Sequence, residues 1–238
     1  MIKIGDWIGV GWRTVTTGSN FWGFVVLVLA YLAAVSVGNF ILAGPATVAV
    51  YAVCLYALRT GKFDFNRVTE AFQAQPFVQS LLVYLVISAM IMVPAVILAI
   101  PFFLMLPFSI QSLGSTPSAE PPIAFFASLG VFYLLLFIIT IILHLLYLFP
   151  YFLIADRKML FWDAMEASRK RVMQNLGGFF LFVLALGGIN LLGMLACGVG
   201  ILVTAPVTWC AIAAAYRDLW PEPQPEAVSE PVPTPMAG

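Results

Sequence analysis

Residues 21–58 read FWGFVVLVLAYLAAVSVGNFILAGPATVAVYAVCLYAL and form an uncharged run of 38 residues. A helix needs roughly 20 apolar residues to cross the hydrocarbon core of a bilayer, so this run is long enough for two crossings. Gly38-Asn39 and Gly44-Pro45 form the candidate break, because glycine and proline release one helix and start the next. The run therefore predicts a transmembrane hairpin. A signal peptide is the weaker interpretation of residues 1–44, because the apolar run is too long for one.

The rest of the chain repeats this pattern. Three more stretches contain no Lys, Arg, Asp or Glu: 71–119, 121–155 and 172–216. Residues 76–101 and 123–150 supply one crossing each, and the last stretch divides into two crossings near residues 197–200. We predict an all-α polytopic bundle in which residues 21–219 form six transmembrane helices. Segment 101–113 is apolar but interrupted by proline, and three placements stay open for it: spanning, re-entrant or interfacial.

Composition points to the same class. Hydrophobic residues make up 62% of the chain and charged residues 9%, whereas soluble domains carry about 25% charged residues because water must wet their surface. The formal net charge is zero, and nothing indicates binding to nucleic acid. The tail, residues 220–238, is rich in proline and glutamate and buries too little apolar surface to fold. We expect it to be disordered and cytoplasmic.

The cations predict an orientation. With a cytoplasmic N-terminus and six crossings, every Lys and Arg falls in the N-terminal segment, the two inner loops or the C-terminal end. These cations are Lys3, Arg13, Arg59, Lys62, Arg67, Arg157, Lys158, Arg169, Lys170, Arg171 and Arg217. Cationic loops resist translocation, so we expect a cytoplasmic (inner) membrane protein with both termini in the cytoplasm. Five helices would place half of the cations outside. Glu120 is the one charge in the predicted outer loop, 114–122.

The two inner loops, 59–75 and 156–175, resemble each other. Residues 62–71 align with 158–167 at a constant offset of 96. As helices, both loops would be amphipathic, with Phe65, Val68 and Phe72 on one face of the first. We therefore predict amphipathic helices at the cytoplasmic interface, and the N-terminal segment 1–20 reads as a third interfacial copy.

Two polar side chains lie inside predicted membrane helices. An intramembrane ionisable group such as His144 is a functional hypothesis by default. No acidic or basic residue is predicted at comparable depth, however, so we interpret His144 as a neutral hydrogen-bonding residue. Asn190 lies among Gly187, Gly188 and Gly193, where small residues let helices approach, and we expect its amide to bond across a helix interface.

Prolines and cysteines complete the intramembrane candidates. Pro45, Pro94, Pro101 and Pro206 are candidate helix breaks, which either expose backbone carbonyls to a cavity or only kink the helix. The three cysteines have neither metal-ligand spacing nor a disulfide pattern, and they are Cys54, Cys197 and Cys210. We expect them to be packing residues, and we predict neither a metal nor a cofactor.

A basic cluster is the candidate lipid site. Arg169-Lys170-Arg171 lies immediately before the fifth predicted helix, and Arg59 and Lys62 lie in the other inner loop. Juxtamembrane cations attract anionic lipid head-groups at about 1 kcal/mol each. The same cluster also serves as a topology determinant. A protein partner could dock on the inner helices or on the tail.

No enzyme motif is present in the sequence. We find no Walker loop, no dinucleotide fingerprint, no HExxH and no GxSxG, and we predict no catalytic residues. The favoured hypothesis is a non-enzymatic membrane protein that organises the membrane by binding anionic lipids or partner proteins at its cytoplasmic face. A carrier or channel for a small apolar or amphipathic solute is the alternative. A lipid-modifying enzyme is the third, and it would require a buried polar constellation around His144.

Several segments together carry a family resemblance. They are IGDWIGVGW (4–12), Gly44-Pro45, RTGK (59–62) with FDFNRVTEAF (63–72), Pro150, Asp156, FWDAMEASRK (161–170), NLGG (175–178) and AYRDL (215–219). Over residues 4–219 the chain resembles the bacterial YciC-like integral membrane proteins, which are related to the membrane domain attached to some glycerophosphodiester phosphodiesterases. The resemblance implies six helices with cytoplasmic interfacial helices. It implies no catalytic residues, because that phosphodiesterase activity resides in a separate soluble domain. Segment 101–122 departs from the compact family pattern.

Overall fold

The computed structural model describes residues 3–18, 20–114, 123–196 and 198–221, and all secondary structure within these ranges is helical. The α-helices are α1 Ile4–Thr16, α2 Asn20–Thr60, α3 Ala74–Gly114, α4 Ile123–Leu146, α5 Pro150–Arg157, α6 Phe161–Met173, α7 Leu176–Leu195 and α8 Ile201–Leu219. A 3₁₀ helix, Phe65–Phe72, joins α2 to α3. The predicted outer loop with Glu120 and the predicted disordered tail from residue 222 lie outside the described residues.

Five segments are long and apolar enough to cross a membrane. They are Asn20–Gly38, Ile41–Thr60, Ala74–Ile97, Leu129–Arg157 and Leu176–Leu195. The sixth predicted crossing corresponds to α8, which is not among them. In α8, eight residues are buried against the rest of the protein, and several of them are alanine or cysteine. A helix that is covered by protein does not need the strongly apolar side chains that lipid selects, which explains its more moderate composition.

The predicted hairpin in residues 21–58 is present, and it turns at the first of the two candidate breaks. Gly38 has non-helical backbone angles (φ −126°, ψ 40°), which kink α2 there. Pro45 lies inside the continuing helix, so the interpretation of Pro45 as a break is wrong. Gly44 has a different role, since a Cβ at this position would collide with the backbone carbonyl of Ser80. The glycine lets α2 and α3 touch.

The third helix runs through its prolines without a break. α3 continues from Ala74 to Gly114, so the prediction that Pro94 and Pro101 interrupt it is wrong. Opening a helix in apolar surroundings leaves several backbone groups unsatisfied, whereas a proline inside it removes only one hydrogen bond. Segment 101–113 therefore extends α3 beyond its apolar span. Pro206 likewise lies inside α8.

The fourth crossing is discontinuous. Pro150 was expected to end a helix, but it begins α5, and α4 has already ended at Leu146. Proline suits the first position of a helix because the amide it lacks would have no intrahelical partner there. The span Leu129–Arg157 is therefore two helices joined by residues 147–149.

The two similar inner loops do not form the same structure. Residues 161–173 form an α-helix, as predicted. The first loop forms the short 3₁₀ helix instead, and the Asp64 carboxylate accepts a hydrogen bond from the Asn66 amide at its start. Phe65, Val68 and Phe72 do share one face, which lines a cavity of about 200 Å³ against α2.

Helix α8 lies at the centre of the packing, where it contacts α1, α2 and α7. Helix α1 crosses it so closely that a Cβ on Gly11 would lie 2.7 Å from the Val207 carbonyl oxygen. Near the other end of α8, Tyr216 stacks on Phe152 of α5, whose ring lies 3.9 Å from that of Tyr51. This aromatic column ties α2, α5 and α8 together where their charged ends meet.

Candidate functional site

The charged ends of α2, α5 and α8 form a polar crevice of about 420 Å³. Its charged lining residues are Lys3, Asp6, Arg59, Asp156, Arg217 and Asp218. Arg59 forms an ion pair with Asp156 at 2.7 Å, and the second oxygen of that carboxylate accepts a hydrogen bond from the Tyr216 hydroxyl at 2.8 Å. Three cations face three carboxylates here, so the crevice carries no formal net charge and does not select an anion.

Arginines at this end also bind helix carbonyls. Arg217 donates to the Leu58 carbonyl oxygen at 3.0 Å, and Arg171 donates to that of Leu219 at 3.0 Å. The last carbonyls of a helix have no intrahelical partner and carry partial negative charge, so a guanidinium stabilises them. These contacts hold the ends of α2 and α8 against neighbouring segments.

The basic cluster does not act as a unit. Successive residues of an α-helix point about 100° apart, so three adjacent cations cannot face one ligand. Lys170 pairs with Glu166 at 2.7 Å, and this hydrogen bond lowers the pKa of the Glu166 carboxyl. Arg171 binds Leu219 and the Gln174 side chain. Arg169 alone of the three lines a groove with apolar walls.

This groove, which we call the Arg169 groove, has a volume of about 540 Å³ and lies between α3, α6 and the end of α4. Its lining residues are Val86, Met90, Tyr147, Trp162, Met165, Glu166 and Arg169. Val86 and Met90 are one turn apart on the apolar span of α3. The groove therefore joins a membrane-embedded apolar floor to a guanidinium at its rim. The predicted lipid residues Arg59 and Lys62 lie elsewhere: Arg59 lines the polar crevice, and Lys62 is exposed after the end of α2.

Ser168 forms hydrogen bonds to the backbone on both sides of the break in the fourth crossing. Its buried hydroxyl donates to the Leu146 carbonyl oxygen at 2.8 Å and accepts from the Phe149 amide at 3.2 Å. Both backbone groups lose helical partners where the helix is interrupted, so one side chain of α6 satisfies both. Ser168 lies in the predicted amphipathic loop 156–175, and no local sequence signal pointed to this role.

A second cavity, of about 410 Å³, lies beside the break. We call it the tyrosine cavity; its polar aromatic lining residues are Tyr31, Tyr51, Tyr84, Tyr147, Tyr151 and His144. No Asp, Glu, Lys or Arg lines it. The cavity could not be predicted from the sequence, because its tyrosines come from α2, α3, the break and α5, and its histidine comes from α4. Tyrosines inside apolar runs were the one available signal.

His144 is the exposed member of this lining. Its Nδ1 lies 3.3 Å from the Thr140 carbonyl oxygen, one turn earlier in α4. A carbonyl can only accept, so Nδ1 carries the proton and Nε2 is left as an acceptor. The structure therefore places His144 beside the tyrosines of the cavity, a grouping that could not be predicted from the sequence.

The remaining polar candidate joins two helices. The Asn190 amide donates to the Leu186 carbonyl oxygen at 3.0 Å and to the Thr208 hydroxyl at 2.8 Å. It therefore links α7 to α8. Cys54 and Cys210 are buried in the core, while Cys197 lies outside the described residues. Within the described part of the chain, no three His, Cys, Asp or Glu residues come together as metal ligands would.

We compared the chain with protein-family models, curated proteins and solved structures. No family model, curated protein or solved structure matches the chain.

Proposed function

We propose that this chain is a non-enzymatic, multi-pass protein of the cytoplasmic membrane that binds an anionic phospholipid in the Arg169 groove. The observation that carries the proposal is the placement of a guanidinium at the rim of a groove whose floor belongs to a membrane-spanning segment. An anionic lipid has the complementary arrangement, with a charged head-group joined to apolar chains. The one carboxylate of the groove, Glu166, pairs with Lys170, whereas the polar crevice holds three carboxylates against three cations, so the crevice is the weaker candidate.

The depth of the groove supports a lipid ligand. Val86 and Met90 lie 12 and 16 residues after the start of α3 at Ala74, which is about 18 and 24 Å along a helix. Acyl chains would pack against these side chains. Trp162, 61% exposed, lies beside the groove on α6, and tryptophan is enriched at the head-group level of membranes.

The proposal includes α8 as the sixth crossing. Its 19 residues give a length of about 28 Å, close to the thickness of the hydrocarbon core. Its central packing explains its weaker apolar character. With six crossings and a cytoplasmic N-terminus, α6 and Arg169 face the anionic lipids of the cytoplasmic leaflet.

The test is native mass spectrometry of the detergent-extracted, full-length protein with phosphatidylglycerol and, for comparison, phosphatidylcholine. Arg169→Ala should weaken phosphatidylglycerol binding about fivefold, since one interfacial cation contributes about 1 kcal/mol. Lys62→Ala is the control, because it removes the same charge from an exposed residue that does not line the groove. We expect its effect to be small.

A second pair of variants tests the groove walls without changing charge. Met90→Trp fills the groove and should also reduce phosphatidylglycerol binding, whereas Met92→Trp places the same ring on an exposed part of α3. Equal losses for Arg169→Ala and Lys62→Ala, with no effect of Met90→Trp, would show diffuse surface attraction and contradict a groove site.

A further inference from the structure

The tyrosine cavity has the size and position of a ligand site. Its volume of about 410 Å³ lies within the range of small-molecule pockets, about 300–1,000 Å³. It adjoins the break at residues 147–149, about two thirds of the way along the span Leu129–Arg157. Discontinuous helices in membrane proteins are stable where the interrupted backbone lines a cavity. Tyr147 and Leu148 of the break line this cavity.

The lining restricts the charge of the ligand. Tyr31, Tyr51 and Tyr151 contribute phenols, and no Lys, Arg, Asp or Glu lines the cavity. A charged ligand at this depth would find no counter-ion, and burying an unpaired charge is costly. The ligand that fits is neutral.

The lining also restricts the polar groups of the ligand. A phenol hydroxyl can donate a hydrogen bond, so several tyrosines favour a ligand that carries acceptor oxygens. Thr47 directs its hydroxyl to the Ala43 carbonyl oxygen at 2.8 Å and so uses its own proton within α2. The donors that face a ligand are thus mainly phenolic, and carbonyl oxygens are their natural partners.

Access is lateral. His144 is exposed on α4 and also lines the cavity, so the cavity reaches the outer surface of a membrane-spanning segment. In a bilayer that surface faces lipid. A ligand that enters there is itself dissolved in the membrane.

We propose that the tyrosine cavity binds the head of a neutral, membrane-dissolved amphiphile that carries carbonyl oxygens. Two sources share this chemistry: a quinone, with ring carbonyls, and a diacylglycerol, with ester carbonyls. The tyrosine cavity shares only Tyr147 with the lining of the Arg169 groove, and the inference does not depend on anionic lipid binding. Occupancy of this cavity is also the first requirement of the carrier hypothesis.

The test measures binding of a decyl-substituted benzoquinone and of dioctanoylglycerol to the full-length protein in detergent, by native mass spectrometry. The wild type should bind one of the two saturably. Tyr151→Phe and Tyr31→Phe should each weaken that binding about fivefold, the effect of losing one hydrogen bond. Tyr133→Phe is the control, since it makes the same change on an exposed position of α4 that does not line the cavity.

Ser88→Phe fills the cavity and should abolish binding, while Arg169→Ala should leave it unchanged. Selective binding of the quinone or of the glycerolipid identifies the source of the carbonyl oxygens. Binding of neither probe would overturn the inference. Equal binding by the wild type and by Tyr151→Phe, Tyr31→Phe and Ser88→Phe would also overturn it, because that result describes partition into the detergent. Tyr151→Phe is nearly isosteric, so its result does not depend on a variant that fails to fold.

Discussion

At the scale of single residues, the side chains that matter most are those whose partners come from distant segments. Ser168 is the clearest case, because its hydroxyl bonds to Leu146 and Phe149, about twenty positions earlier. A small polar residue on an apolar helix face gives no indication of such partners in the sequence. Its role depends on where α4 ends, which is a tertiary property.

Ser168→Ala should destabilise the protein. The change leaves the Leu146 carbonyl and the Phe149 amide buried beside the break without this partner, at a cost of about 1–3 kcal/mol. We would measure the free energy of unfolding by denaturant titration in mixed micelles. Ser80→Ala is the matched control, because the buried Ser80 hydroxyl bonds only to the Phe77 carbonyl oxygen of its own helix. If both variants lost the same stability, the role assigned to Ser168 would be wrong.

For the basic cluster, the residue pattern predicted the location of the charges but not which of them can contact a ligand. Charge alone indicated that residues 169–171 face a polar boundary, and the structure places all three beside other charged or exposed groups. Which of them can meet a ligand depends on the helix rotation and on the neighbours. Lys170 has Glu166 and Arg171 has the end of α8, so Arg169 is the one directed to a groove.

At the scale of helices, apolar runs predicted the approximate positions of five crossings, whereas the prolines were poor guides to where helices begin and end. Five of the predicted crossings correspond to helices long and apolar enough to span. Pro94 and Pro101 were predicted to break α3 and do not, whereas Pro150 was predicted to end a helix and starts one. A proline fixes its own φ and lacks the backbone N–H donor. Both a position inside a kinked helix and the first position of a helix are compatible with these two properties, so a proline alone does not locate a helix end.

The contact between α2 and α3 depends on a glycine. Gly44→Ala should destabilise the protein by about 1–3 kcal/mol, because the added methyl group would meet the backbone carbonyl of Ser80, which cannot rotate away. Gly187→Ala is the matched control on α7, where a Cβ would meet nothing within 4 Å. We expect it to be neutral or slightly stabilising, since alanine favours helix. Unfolding titrations of both variants check this, and equal stability would mean that the two helices separate without cost.

At the scale of the whole molecule, the polar ends of several helices lie together. Contacts between Arg59 and Asp156, between Arg217 and Leu58, and between Gln75 and the Lys158 carbonyl oxygen join segments that the sequence assigned to one side of the membrane. The positive-inside pattern therefore anticipated which loops are neighbours. It could not anticipate the tyrosine cavity, which requires the packing of four helices, and the family resemblance stays a prediction.

The position of α8 decides the topology. If α8 crosses the membrane, residues 199 and 218 lie on opposite sides, and Arg217 is cytoplasmic with the other cations. If it does not cross, both residues lie on the outer side after the fifth span. The hydropathy of α8 alone does not separate these arrangements, because burial in the protein and a position outside the membrane both permit a moderate composition.

Cysteine labelling distinguishes the two arrangements. We would replace Cys54, Cys197 and Cys210 with alanine and introduce Lys62→Cys, Val199→Cys or Asp218→Cys, one at a time, at exposed positions. In intact spheroplasts, a membrane-impermeant maleimide should label position 199 and leave positions 62 and 218 unlabelled, and lysis should make all three reactive. The cysteine-free protein controls for background. Labelling of both 199 and 218 before lysis would place α8 outside the membrane. The C-terminal cation would then lie on the side that positively charged segments avoid, so the six-crossing topology would have to be abandoned.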